Sequence, residues 1–298
     1  MKKYTTILMI LILVISLTAG CSNSDDTKGP EKSFLWEISS ESTTVYVLGS
    51  IHMASADLYP FADAIEDAYD ISQNLAVEVD ITGIDMEVSN MLLIKGKYPT
   101  GETLRDNISA DLYEKVDEVL GELGWGIFIV NTFEPWVVTT TIEELQMTSF
   151  GYSSDYGIDT HFLNRAHEEG KDIIELESME FQINLLDGFS DEIQILILED
   201  VVENMATKKE IESLFDAWET GDVTAMENIA LDDPSGNPEL VPVNEAFLDE
   251  RNFGMVDKIE DFLKDDETYF VVVGAAHLVG ENGIINLLGE KGYSTEQL

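Results

Sequence analysis

Two apolar runs in this chain end the same way, and that shared ending constrains the fold more than any other feature. "VYVLGSIH" (Val45 to His52) and "YFVVVGAAH" (Tyr269 to His277) each run to a glycine and place a histidine three positions later. In an open α/β sheet, ligands bind beyond the carboxyl ends of the parallel strands. Gly49 and Gly274 stand where each strand must turn, and glycine permits a positive φ or a close backbone approach there. If the two strands are neighbours and parallel, the imidazoles of His52 and His277 face one crevice. The chain holds four histidines, so committing two of them to the same motif is a substantial share.

The intervening pattern is that of an α/β chain. "FLWEISS" and "TTVYVLGS" read as adjacent strands joined by a polar hairpin turn. Helical spacing over Tyr59 to Ser72 leads to a strand over Asn74 to Ile81, which completes a strand–helix–strand crossover. From Met86 to about Met147 the pattern is mostly helical. A helix within Gly157 to Glu177 leads into a short strand, Asp172 to Leu176. A long helical stretch follows, interrupted by a loop over Leu231 to Pro242. The chain closes with helices near Asn244 to Leu263 and Asn282 to Leu288 on either side of the second GxxH strand. No tandem repeat is present, but strand–GxxH–helix occurs at both ends of the domain.

The first residues read as an export signal over 1–20: Lys2 and Lys3, an apolar run from Ile7 to Leu17, then Ala19-Gly20. Cys21 follows directly, in a lipobox-like position, so the mature chain is either lipid-anchored through Cys21 or secreted. Residues 21–33 are a polar tether, and 34–298 are long enough for one core domain with an inserted helical lobe. Cys21 is the sole cysteine, which excludes an internal disulfide and a thiolate ligand or nucleophile. A net charge of −43 disfavours nucleic acid and anionic headgroups as partners and attracts cations. The chain contains no GxSxG elbow, P-loop, GxGxxG or HExxH helix. His161 and His167 are six apart, roughly 240° around a helix, and cannot form a helical ligand pair.

Glu78 ends the strand between the two histidine strands in sequence, and period-two alternation places it opposite Val77 and Val79. Two imidazoles and a carboxylate make a competent divalent-metal site with positions left for water. Without a thiolate the ligands are nitrogen and oxygen. That set suits Mn²⁺, Co²⁺, Fe²⁺ or Zn²⁺ alike. Glu78 could be a ligand or a general base.

"YVLGSIH", "NLAVEVD", "EPW", "GIDTHFLNRAHEEGKDIIELES", "AWETGD", "ERN" and "VVVGAAHLVGENGIINLLGEKGY" fall in the order found in the TraB/GumN family, which this chain resembles from about Phe34 to Tyr293. The Tiki proteases are its animal relatives. The resemblance implies an erythromycin-esterase/ChaN-like α/β fold: a central mixed sheet flanked by helices, pseudo-symmetric strand–GxxH–helix halves and a helical insert. It also implies a metal-dependent peptidase favouring Mn²⁺ or Co²⁺, with His52, Glu78 and His277 at the metal. "ERN" supplies Arg251 and Asn252. Arg251 would bind a developing oxyanion or a substrate carboxylate, or else pair with a buried acid. The expected function is therefore an extracytoplasmic hydrolase acting on peptide or protein. A non-catalytic binder of a small peptide or haem-like ligand is the alternative. Metal-free hydrolysis with one histidine as base is a third.

Overall fold

The two GxxH strands are paired directly, side by side and parallel. β2 (Thr44–Ser50) and β5 (Tyr269–Gly274) run in register from Val45 opposite Tyr269 to Ser50 opposite Gly274. This computed structural model describes residues 33–83, 86–231 and 238–298. The expected signal segment, Cys21 and the tether up to residue 32 lie outside the described residues, as do 232–237 of the expected loop. Four more strands complete the sheet: β1 (Leu35–Ser39), β3 (Asn74–Val77), β4 (Asp172–Glu175) and β6 (Ser294–Gln297). Their order is β4-β3-β5-β2-β1-β6. β4, β3, β5 and β2 are mutually parallel, and β1 is antiparallel to both β2 and β6, so the sheet is mixed.

All six residues of β5 are buried, as expected of a central parallel strand covered on both faces. The covering helices insert Ile65 and Tyr69, Phe162 and Leu163, Leu214 and Trp218, Met255 and Ile259, and Ile284 and Leu288 into one continuous core with the strands. The helical insert forms two further clusters. One gathers Val79, Trp136, Met179 and Phe247; the other gathers Leu104, Val116, Ile142 and Leu198. No helix among the described residues is long and apolar enough to cross a membrane.

Three sequence expectations need adjustment. β3 ends at Val77, so Glu78 lies just past the strand, and Val77, Glu78 and Val79 are all buried rather than alternating. Beyond Val77 the helical insert covers the chain on both sides, which removes the in–out alternation that an open face imposes. "STEQ" carries no apolar signal, yet it forms edge strand β6 by backbone pairing with β1, helped by the Gln297 amide, which donates to the Ser33 and Gly221 carbonyls, and its side chains alternate half-buried and exposed. Finally, neither Gly49 nor Gly274 has a positive φ. Gly49 is needed for close approach, because a Cβ there would lie 2.4 Å from the Phe34 ring.

The His52 loop is held from outside by backbone contacts. Ala54 and Ser153 exchange hydrogen bonds of 3.0 and 2.8 Å, and the Ile158 amide donates to the Ile51 carbonyl at 3.1 Å. Gly157, which opens the helix Ile158–Glu169, packs so tightly here that a Cβ would lie 2.2 Å from the His52 carbonyl oxygen. Gly157→Ala should therefore destabilise the fold by about 1–3 kcal/mol, the range for forced overpacking. Urea unfolding measures this, and an unchanged midpoint would show that the loop yields freely.

Candidate active site

At the carboxyl ends of β2, β3 and β5 the structure brings His52, Glu78 and His277 together. Their meeting point is the space that a Gly274 side chain would occupy. A Cβ built there would lie 3.3 Å from Glu78 Oε1, 3.5 Å from His277 Cδ2 and 3.8 Å from His52 Nε2. The second glycine of the paired motif thus provides room rather than a special backbone conformation. Glu78 is 5% exposed and His277 4%, whereas the His52 side chain keeps 28% of its surface. His52 is the wall through which solvent reaches the cradle.

Each imidazole is oriented through Nδ1. His52 Nδ1 lies 2.7 Å from Asp159 Oδ2, and Asp159 Oδ1 accepts from the Ser50 hydroxyl at 3.0 Å. Asp159 stands in the first turn of the helix Ile158–Glu169, two residues beyond Gly157. His277 Nδ1 lies 2.6 Å from Asn252 Oδ1. The Asn252 amide NH₂ donates to the Asn282 carbonyl at 2.8 Å, which turns its oxygen toward the ring. His277 must then carry its proton on Nδ1, leaving a lone pair on Nε2. That lone pair faces Glu78 Oε1 at 3.8 Å. Both histidines thus show the arrangement of metal-ligating imidazoles, with one nitrogen fixed by an oxygen acceptor and the other left free.

Glu78 is held by three groups. Its Oε1 accepts the Gly274 amide proton at 2.6 Å; its Oε2 pairs with Arg251 Nη2 and accepts from Gln182 Nε2 at 3.4 Å. Arg251 is only 6% exposed, and all three of its nitrogens are engaged. Nε bonds Glu177 at 2.8 and 3.1 Å, Nη2 bonds Glu177 Oε2 at 2.8 Å, and Nη1 donates to the Phe247 carbonyl at 3.2 Å. Of the two roles considered for Arg251, the structure places it in the second, paired with buried acids. Asn252 is a positioning residue for His277. His161 packs edge-on against Phe61 and Phe162 and tilted against Tyr59, and His167 bonds Asp80 and Thr82 near the surface, so neither reaches the cradle.

These contacts set the charges. Burial opposes the His52 imidazolium, but Asp159, by charge and hydrogen bond, and then Glu78 outweigh it and push the pKa up to about 9. Burial, then Arg251, lower His277 to about 3 against the pull of Glu78. Burial would raise Glu78, yet Arg251, the two histidines and the Gly274 amide bring it down to about 2. The cradle therefore draws a positive charge onto His52 Nε2, between a lone pair and a carboxylate.

A divalent cation is the other way to meet that demand. Among the described residues no group of three or more His, Cys, Asp or Glu is arranged to hold a metal ion as it stands. The physical reason is visible at Glu78, whose oxygens are drawn to Arg251 and the Gly274 amide. The expected triad is thus not a closed cage. The two free Nε2 atoms nevertheless fit as a ligand pair, and Glu78 Oε1 has a second lone pair facing the same space.

Asp159, Ser50, Glu177 and Gln182 were not singled out from sequence. Asp159 and Glu177 both lie in the segment "GIDTHFLNRAHEEGKDIIELE", but their partners are 107 and 74 residues away.

Comparison with known proteins agrees with the family resemblance. The model of the TraB/PrgY/gumN family matches residues 34–297, and the chain belongs to that family. The uncharacterized protein YbaP of Escherichia coli (strain K12) is 26% identical over 243 residues, covering 82% of this chain and 87% of YbaP. A protein named metalloprotease TIKI homolog, from Amphimedon queenslandica, is 25% identical over 98% of this chain, which spans 66% of that protein's length. No solved structure matches.

The charge pattern predicts a bell-shaped stability curve in chelator-treated protein. The raised His52 pKa contributes stability that is complete below its unfolded value of 6.5 and lost as pH rises toward about 9. The depressed His277 pKa takes stability away as pH falls from 6.5 toward about 3, and Glu78 does so as pH falls from 4.5 toward about 2. Stability should therefore peak near pH 6.5. Asp159→Asn should flatten the alkaline limb, on the order of 2 kcal/mol for so part-exposed a ring. Urea unfolding across the pH range checks this, and an alkaline limb that survives the substitution would refute it.

Proposed function

We propose that this TraB/PrgY/gumN family member is an extracytoplasmic, metal-dependent hydrolase of peptide bonds. The observation that carries the proposal is the cradle at Gly274, where two imidazole rings and a carboxylate oxygen border one side-chain-sized space. His52 and His277 would hold the ion through Nε2, with Glu78 Oε1 beside them. A divalent cation bound there supplies a water of lowered pKa and polarises the scissile carbonyl. The N/O donor set suits Mn²⁺, Co²⁺, Zn²⁺ or Fe²⁺ alike, and the family resemblance favours Mn²⁺ or Co²⁺. The similarity to a protein named as a metalloprotease favours the same chemistry.

The chain's own residues then have separate tasks. Asp159 and Asn252 fix the two rings so that Nε2 points inward. Arg251 keeps Glu78 ionised, so that its Oε1 can accept a hydrogen bond from the attacking water and orient it. The bonds to Glu177 and Phe247 hold Arg251 in place beside Glu78, which favours a role in fixing that carboxylate over one at the oxyanion. In this reading the signal segment exports the chain and Cys21 carries the lipid that holds it at the membrane. The acidic surface favours peptide substrates that are neutral or cationic.

The test is turnover of a peptide library by protein purified without chelator, with Mn²⁺ or Co²⁺ added. Turnover should vanish in EDTA and return with metal. Gly274→Ala puts a Cβ 3.3 Å from Glu78 Oε1, tighter than an ordinary contact, and 3.5–3.8 Å from the two rings, and should cost about 1–2 kcal/mol without unfolding the chain. It should nevertheless abolish metal binding measured by calorimetry. Asp159→Asn should weaken that binding by about 10–100-fold. Activity that survives both EDTA and His52→Ala would defeat the reading and point to a single histidine acting as base. Ligand capture without turnover, unchanged in a His52/His277 double mutant, would point to a binder.

A further inference from the structure

The chain enters its sheet at the catalytic end. The Phe34 carbonyl accepts from the Gly49 amide at 3.0 Å, and Leu35 is paired with Leu48, so β1 begins beside the carboxyl end of β2. Gly49 is three residues from His52. Cys21 and Ser33 are twelve residues apart, which at roughly 3.3–3.6 Å per residue spans about 40 Å at full stretch. The tether to Cys21 is therefore rooted beside the mouth of the site rather than at the opposite end of the sheet.

The same end carries an apolar face that the fold leaves uncovered. The helix Met86–Lys95 (MEVSNMLLIK) has no buried residue. Its inner side packs Val88, Met91 and Leu92 against the cluster containing Val79, the residue directly after Glu78. At 100° per residue, Met86, Leu93 and Ile94 fall on the outer side within about 100° of arc, with the exposed Asn90 between them and the exposed Glu87 at the rim. They are 81%, 50% and 77% exposed. Ten residues give a helix of roughly 15 Å, too short to span a bilayer and long enough to lie in its interface.

The geometry points to a lipid bilayer surface as the occupant of this face. Resting on the lipid-anchored reading proposed above, the chain stands with its sheet end-on to the membrane. Met86, Leu93 and Ile94 enter the acyl region, and the cradle opens toward peptide segments lying at the membrane surface. A chain of net charge −43 is repelled by anionic headgroups, so the docked surface is zwitterionic. The substrate class follows from the placement: peptide at or emerging from the bilayer, in preference to peptide free in solution.

The test uses the full-length lipidated chain in phosphatidylcholine vesicles containing brominated phosphatidylcholine, which quenches tryptophan on contact with the acyl region. Ile94→Trp places a reporter on the outer face. Glu41→Trp places one in the exposed turn between β1 and β2, at the other end of the sheet. Emission of the unsubstituted chain, with its own four tryptophans, is subtracted. A chain that hydrolyses peptides but shows no quenching keeps its function and loses this orientation; quenching without hydrolysis does the reverse. The expected result is at least twofold quenching of the Ile94 reporter and none of the Glu41 reporter, with the difference reduced when phosphatidylglycerol is added. Equal quenching, no quenching, protection of the Ile94 reporter by added peptide alone, or recovery of the chain free of vesicles would each overturn the proposal.

Discussion

A single buried carboxylate, Glu78, ties the sheet to the helical insert and sets the electrostatics of everything around it. An ionised group so deep must be paired, since an unpaired buried charge costs several kcal/mol. Three elements meet that need: the Gly274 amide from β5, Arg251 from the helix Glu250–Phe262 and Gln182 from the helix Met179–Asp187. Arg251 in turn brings Glu177, which lies just beyond β4. A π-helical turn, Glu245–Asp249, directly precedes that helix and supplies the Phe247 carbonyl that accepts from Nη1. Such turns often mark functional sites, because they rotate the residues that follow. Here the rotation delivers Arg251 to Glu78 and Asn252 to His277 from adjacent positions.

The two histidines look alike in sequence and differ in chemistry. His52 has a carboxylate on Nδ1 and a solvent-facing edge; His277 has an amide on Nδ1 and is enclosed. Asp159 outweighs burial to stabilise a charged His52, whereas burial and Arg251 keep His277 neutral, so the rings titrate on opposite sides of neutrality. The cradle is thus an acceptor-lined space that collects positive charge. A proton on His52 fills the role in metal-free protein, and a divalent ion replaces that proton in the proposed enzyme. Cation binding should accordingly release a proton.

Much of this was legible in the chain because strand periodicity and glycine punctuation are local signals. The pairing of β2 with β5 follows from two apolar runs that end alike, and His52, Glu78 and His277 follow from their positions after strands. What was not legible depends on contacts between distant segments. Asp159 reads as an ordinary first-turn acid of a helix, and Glu177 as one acid among many in a chain rich in them. Only the folded chain shows that the first meets Ser50 and His52 and the second meets Arg251. β6 escaped notice for a different reason. An edge strand pairs through its backbone and needs no apolar side chains, so "STEQ" gave no periodic signal.

The claim beneath all of this is that three acceptor atoms share one space and demand a cation. Nitrogen-15 NMR of the histidine rings reads it directly, first in chelator-treated protein at neutral pH and then after one equivalent of Zn²⁺, chosen as a diamagnetic ion. The account predicts His277 protonated on Nδ1 alone and His52 protonated on both nitrogens. Zinc should then strip the His52 Nε2 proton and shift both Nε2 resonances together. A proton found on His277 Nε2, or two rings indifferent to the metal, would contradict it.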